Sequence, residues 1–140
     1  MKINKNVYIM IDLATLTGAA SRAIGHYGIV AMHADADIEF ENLKNSGQSV
    51  YERLAEFPFW DEYAELLKSE NADLKNIGGP LAGAITAAKF LEHFTDYPWI
   101  HLDIAGPAFL DKKDGYRTAG GTAVGIRLLF EFFLQLSEKK

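Results

Sequence analysis

The sequence contains no cysteine. This excludes a disulfide framework, a thiolate zinc centre and a cysteine nucleophile, and it suits a reducing compartment. There is little excess charge: 14 Lys and Arg against 19 Asp and Glu leave a formal net charge of −5. No basic stripe is available to meet phosphates, so no nucleic-acid partner is expected. No run approaches the roughly 18 apolar residues of a membrane helix, so no membrane partner is expected either. Lys2 and Lys5 precede an apolar stretch in the manner of a signal peptide, but Asp12 interrupts it early and no cleavage-like site follows. The expected location is therefore cytoplasmic. What remains is ordinary globular material. With 49% hydrophobic and 24% charged residues, the 140 positions suit one domain, spanning residues 1–140, with a real core.

Residues 7–13 (VYIMIDL) are apolar nearly throughout and predict a strand buried on both faces. Residues 14–18 (ATLTG) read as a loop into a short helix over 19–24, and 28–32 (GIVAM) as a second strand. Ser49 and Glu52 have S-x-x-E spacing, which predicts a helix opening there and running to about residue 56. Trp60, Tyr63, Ala64 and Leu67 fall at i, i+3, i+4 and i+7, one face of another helix. Pro80, after Gly78-Gly79, suits the first position of a helix over 80–94, whose Ala82, Ala84, Ala87 and Ala88 permit close packing. Residues 99–104 (WIHLDI) predict a third strand, ended by Ala105-Gly106-Pro107, and 111–121 read as a Gly-rich loop. A last helix over 122–137 carries two apolar stripes: Ile126, Leu129, Phe130 and Phe133, and Leu128, Phe132 and Leu136. Such a helix needs cover on more than one side, which favours self-association. Strands alternating with helices imply an α/β class with part of the sheet parallel. Three strands are too few to bury two of them on both faces, so further strands or a larger assembly are expected.

Several groups could carry chemistry. His33, Asp35 and Asp37 alternate, so on a strand they share a face and could converge on a metal; the competing reading is a strand end and an acidic helix start. His101 and Asp103 also alternate on a central strand, either for acid–base work or to tie down loops. Two Gly-rich segments, 76–83 (NIGGPLAG) and 119–125 (AGGTAVG), precede helices and could hold an anion or simply make tight turns. Neither contains G-x-x-x-x-G-K-[ST], and no G-x-S-x-G elbow occurs. Finally, VYIMIDL and WIHLDI both run into small-residue loops. If those strands are parallel neighbours, Thr15–Gly18 and Ala105–Ala108 lie side by side, as a wall for a small substrate or as plain strand endings.

At this point the order of motifs is recognisable. IDLATLTGAA (11–20), ADLKNIGG (72–79), AGAITAAKFL (82–91), WIHLDIAG (99–106) and GGTAVGIRLL (120–129) resemble, in that order and over nearly the whole chain, the leucyl aminopeptidase (cytosol aminopeptidase) family. The resemblance implies an α/β fold, an incomplete mixed and partly parallel sheet flanked by helices, forming the C-terminal portion of that catalytic domain. It implies removal of N-terminal residues from peptides by two divalent metals, zinc or manganese, in a homo-oligomer, usually a hexamer. The family's metal ligands, catalytic lysine and catalytic arginine fall upstream of the matched segment, and its Asn-Thr-Asp-Ala-Glu-Gly-Arg motif is absent here. No catalytic residue and no metal ligand therefore carries over, and the chain alone is expected to be inactive. What carries over is substrate-binding: Thr15, Leu16 and Gly18 on one loop, Ala105 and Ala108 on the other. Ala108 falls where some relatives place a larger residue. The resemblance moves His33–Asp37 away from metal binding, and His101 and Asp103 from catalysis to support. Two other readings stand beside it: a non-catalytic remnant serving as a binding or oligomerisation module, motivated by Met1 and the fresh lead-in at residues 2–6, and a small phosphate-binding module built on the Gly-rich helix starts.

Overall fold

The three apolar runs become adjacent strands of one sheet. In the computed structural model, which describes residues 7–138, the order of elements is β1 (Met10–Ala14), α1 (Gly18–Ile24), β2 (Ile29–Ala34), α2 (Asp37–Ser49), β3 (Leu54–Glu56), a 3₁₀ helix (Asp61–Leu67), α3 (Gly83–Glu92), β4 (Trp99–Asp103), β5 (Phe109–Leu110), β6 (Gly120–Gly121) and α4 (Ile126–Glu138). Residues 2–6, the supposed lead-in, lie outside the described residues. The main sheet has the order β1-β4-β2-β3, with β1 parallel to β4, β4 antiparallel to β2, and β2 parallel to β3. It is a mixed α/β sheet flanked by helices, the class expected.

Side-chain alternation on the strands divides the core. Ile100 and Leu102 of β4 and Ile29 and Ala31 of β2 face α2 and α4, meeting Phe40, Leu43, Leu128 and Phe132. Trp99 of β4 and Val30 and Met32 of β2 face α1 and α3, meeting Ala20, Ala84, Ile85 and Ala88. The alanines of α3 thus let its backbone approach the sheet. β4 is buried at all its positions. β1 is only partly buried, because among the described residues it pairs with β4 alone and forms an edge of the sheet. Its expected burial on both faces is not met within these residues.

The segment around Ser49 differs from expectation. Ser49 ends α2 instead of starting a helix, and its hydroxyl donates back to Ser46 O at 2.8 Å. Residues 54–56 form the short strand β3. α2 itself starts at Asp37 with Asp37 and Glu39 in its first turn, where the helix dipole favours acidic groups. It buries Phe40, Leu43, Ser46 and Gly47. At Gly47 an added Cβ would lie 2.5 Å from Glu52 O, so glycine lets the helix press against the chain leading to β3. The other shifts are smaller. The helix around Trp60 is a 3₁₀ turn, α3 starts at Gly83 and not at Pro80, α4 starts at Ile126 and not at Thr122, and the 111–121 loop is framed by the β5–β6 hairpin.

Glu52 does cap a helix, but α4, more than 70 residues later. Its buried carboxylate accepts from Gly125 N at 3.0 Å, Leu128 N at 2.9 Å and Arg127 Nε at 3.1 Å. These amides belong to the helix start that has no intrahelical acceptors. The Tyr116 hydroxyl first, and Glu52 after it, hold the Arg127 guanidinium above its ordinary value. The cap anchors Leu128 and Phe132 in the core, each burial being worth about 1.5–3 kcal/mol. Glu52→Ala would leave buried amides without an acceptor. It should cost about 3 kcal/mol, from hydrogen bonds to a charged group, and lower Tm by roughly 10 °C in a thermal melt. An unchanged melting curve would remove Glu52 from this role.

Candidate functional site

Parallel pairing of β1 and β4 runs from Met10↔Trp99 to Ala14↔Asp103, and Ile104 N extends it by donating to Ala14 O at 2.9 Å. The two loops that follow therefore leave the sheet side by side at the carboxyl ends of adjacent strands, where open α/β sheets bind ligands. Thr15, Leu16 and Gly18 on the first loop are exposed; Ala105 and Ala108 on the second are half-buried.

The two loops are stitched by Asp103, which is fully buried. Its Oδ1 accepts from the amides of Leu16 (3.3 Å), Thr17 (3.4 Å) and Ala105 (3.1 Å). Its Oδ2 accepts from the Thr17 hydroxyl at 2.7 Å. The same hydroxyl oxygen accepts from Ala20 N at 3.0 Å, capping α1. A second anchor comes from Thr122: its amide donates to Ala108 O at 3.0 Å and its hydroxyl to Pro107 O at 2.6 Å. Gly106 completes the fit, since a Cβ there would lie 2.0 Å from Gly25 O. Thr17 and Thr122 did not stand out in the sequence, because a hydroxyl that holds a loop carries no spacing signal of its own.

His101 lies one pleat back on β4. It is fully buried; Nδ1 meets Asp12 Oδ1 at 2.8 Å, while Asp12 Oδ2 accepts from Trp99 Nε1 at 2.7 Å. Asp12 thus ties β1 to β4 on the α1/α3 side. Nε2 of His101 has no hydrogen-bond partner among the described residues. Neither His101 nor Asp103 is open to solvent, so neither is placed to exchange protons with a substrate at the surface.

The remaining candidates sit elsewhere. His33 stacks on Phe40 and lies 3.7 Å from Asp37 and 3.6 Å from Glu56. Glu56 also accepts from Lys44 at 3.0 Å, and that bond, ahead of the His33 contact, holds its carboxyl below the usual range. Asp35 falls at a left-handed bend, φ 52°, rather than on a continuing strand, so the alternation that would make it share a face with Asp37 is lost. Among the described residues no group of three or more His, Asp or Glu side chains is arranged to hold a metal. The Gly-rich segments pack closely: Gly78 abuts Thr86, and the amides of α4 that a phosphate would need are already given to Glu52.

The carboxylate of Asp103 is the single group both loops depend on. In Asp103→Ala, the amides of Leu16, Thr17 and Ala105 should lose protection against hydrogen exchange by at least about tenfold, with a stability loss of roughly 3 kcal/mol. Unchanged protection in both loops would show that they are held by something else.

Residues 1–130 match the catalytic domain of the cytosol aminopeptidase family. A probable cytosol aminopeptidase of Chlorobium phaeobacteroides is 50% identical over 128 residues, 90% of this chain and 25% of that protein. One from Geobacter sulfurreducens is 50% identical over 124 residues, covering 88% and 25%. The chain therefore spans about a quarter of the length of the curated relatives it matches. Among solved structures, the bottromycin maturation enzyme BotP superposes with a TM-score of 0.89 at 31% identity, covering 96% of this chain and 30% of that one. The same enzyme in complex with Mn gives 0.85 at 32% identity, covering 93% and 29%. A mutant of tomato leucine aminopeptidase gives 0.83 at 37% identity, covering 92% and 25%.

Proposed function

This chain belongs to the cytosol aminopeptidase family, and from that premise we propose that it supplies the substrate-pocket wall and part of the core of a two-metal aminopeptidase. In this reading residues 1–140 act as one domain, and Thr15, Leu16, Gly18, Ala105 and Ala108 receive the N-terminal residue of a peptide. The observation that carries it is the stitching of both loops by Asp103, which presents them together beyond the ends of parallel strands.

The two divalent metals of the family do not fit the residues described. Asp103, Asp12 and Glu52 already spend their oxygens on protein donors, and among the described residues no group of three or more His, Asp or Glu side chains is arranged to hold a metal. No step through a metal is assigned to these residues. In the reading proposed, metals and catalytic groups reach the wall from polypeptide outside them, in keeping with the quarter-length match and with the Mn complex of BotP. The location proposed is cytoplasmic. No helix among the described residues is long and apolar enough to cross a membrane. The remnant reading differs in having no such complement.

Activity tests separate the two. The purified chain with Zn or Mn should not hydrolyse leucine p-nitroanilide. A chimera carrying it in place of the matching quarter of the Geobacter sulfurreducens relative should do so. Ala108→Met in that chimera should lower kcat/KM for a bulky first residue relative to alanine by about tenfold, the effect of a few methylenes in a pocket. Hydrolysis by the chain alone, or a folded chimera with no activity, would defeat the proposal.

Self-association follows from α4. Leu128 and Phe132 face the core, while Ile126, Phe130 and Phe133, spaced i, i+4 and i+7, are exposed. A row of this kind favours assembly. We expect a dimer or larger species at micromolar concentration in sedimentation velocity; a clean monomer would count against the homo-oligomer.

A further inference from the structure

On the far side of the 105–108 loop lies a cavity of about 270 Å³ that takes no part in the reading above. Three of the chain's four arginines, Arg53, Arg117 and Arg127, line it, although the chain as a whole is acidic. Two carboxylates also reach it, and both are engaged. Glu52 holds the start of α4, and Asp114 pairs with Arg117 and lies 3.6 Å from His26. Counted together, the lining carries a net positive charge.

The arginines are positioned by few of their N–H groups. Arg53 donates through one terminal nitrogen to Tyr27 O at 3.3 Å, and its guanidinium lies 4.4 Å from the centre of the Tyr51 ring. Arg117 donates to His26 O at 3.2 Å and to Asp114. Each guanidinium carries five N–H donors, so donors remain for a ligand. Tyr27, Tyr51 and Tyr116 are 63%, 68% and 74% exposed, and all three line the cavity. Tyr51 stands at φ 61°, a conformation costly for a bulky side chain. Such strain persists where the surroundings impose it and concentrates at binding sites.

We infer that this cavity binds a small planar carboxylate, its oxygens forked by the arginines and its flat body laid against the tyrosine rings. Guanidinium matches carboxylate geometry in a bidentate way that a point charge does not. Aromatic faces hold a planar apolar body with little loss of side-chain freedom. Three guanidiniums inside a recess raise the local concentration of anions against the overall charge. The volume limits the ligand to roughly the size of a substituted benzoate, below the usual range for larger cofactors.

The test is binding to the intact chain, which does not depend on aminopeptidase activity. Benzoate is titrated into 15N-labelled protein and followed by amide shifts. Saturable, low-millimolar binding is expected, with shifts centred on residues 26–28, 51–53 and 114–117. Neutral benzamide and inorganic phosphate should each bind at least about tenfold more weakly, the worth of one good charged contact. Arg53→Gln should weaken benzoate about tenfold and Tyr27→Ala at least about threefold. Non-saturating shifts, shifts elsewhere, equal binding of benzamide or phosphate, or an effect of only one of the two substitutions would each overturn the inference. The wild-type comparison of the three probes stands even if a variant fails to fold.

Discussion

A buried carboxylate with four donors aimed at it constrains this structure more than any other group. Isolated burial of a charge is prohibitive, and Asp103 is tolerable inside the sheet only because amides and a hydroxyl replace its water. Those donors come from two loops far apart in sequence: Leu16 and Thr17 on one, Ala105 on the other. To bring them to one residue, β1 and β4 must be parallel, adjacent and in the register that sets Ala14 opposite Asp103. Thr17 extends the constraint, because the hydroxyl that donates to Asp103 also starts α1. Register, loop position and helix start are thus one hydrogen-bonded unit.

Glu52 repeats the device on the other face of the sheet. It leaves the end of α2, enters the core beside β3 and accepts the first amides of α4. Helix starts have free amides and a favourable field for anions. In both places the protein fills that position with its own carboxylate or hydroxyl. The Gly-rich entry to α4 is therefore a packing device, with Gly125 at φ 96° over Leu13, and its anion is internal.

The strands and the small-residue loops were legible because their signals are local. A run such as WIHLDI, short, largely apolar and bounded by Pro98 and Gly106-Pro107, reads as a buried strand. The pairing of the loops was legible conditionally, on parallel neighbours, and the observed register supplies that condition. Two other features were hidden for physical reasons. α2 is rich in Asn, Ser and Gly, which weakens both propensity and periodicity, and it is held by tertiary contacts at Phe40 and Leu43. β3 has three residues, too few for an alternation to show, and is defined by pairing with β2. The S-x-x-E spacing at Ser49 and Glu52 misled because it states that Glu52 can cap a helix, not which one. Asp103 stood out as a candidate, but its role depends on amides brought 86 and 87 residues along the chain, which no spacing rule contains.

The 105–108 loop runs from the stitched end of β4 to the arginine-rich cavity. Ala105 donates its amide to Asp103 at the end of β4, while Pro107 lines the arginine-rich cavity. The loop is pinned at three points: Ala105 N on Asp103, Pro107 O and Ala108 O on Thr122, and Gly106 against Gly25 O. A segment held so closely moves as a unit, because close-packed contacts transmit displacement instead of absorbing it. Thr122 is among the residues that line the cavity, and its hydroxyl donates to Pro107 O. A shift of Thr122 would displace the Pro107 carbonyl that its hydroxyl holds, and with it the 105–108 loop. The Thr122 hydroxyl thus ties a residue of the cavity lining to the loop that follows β4.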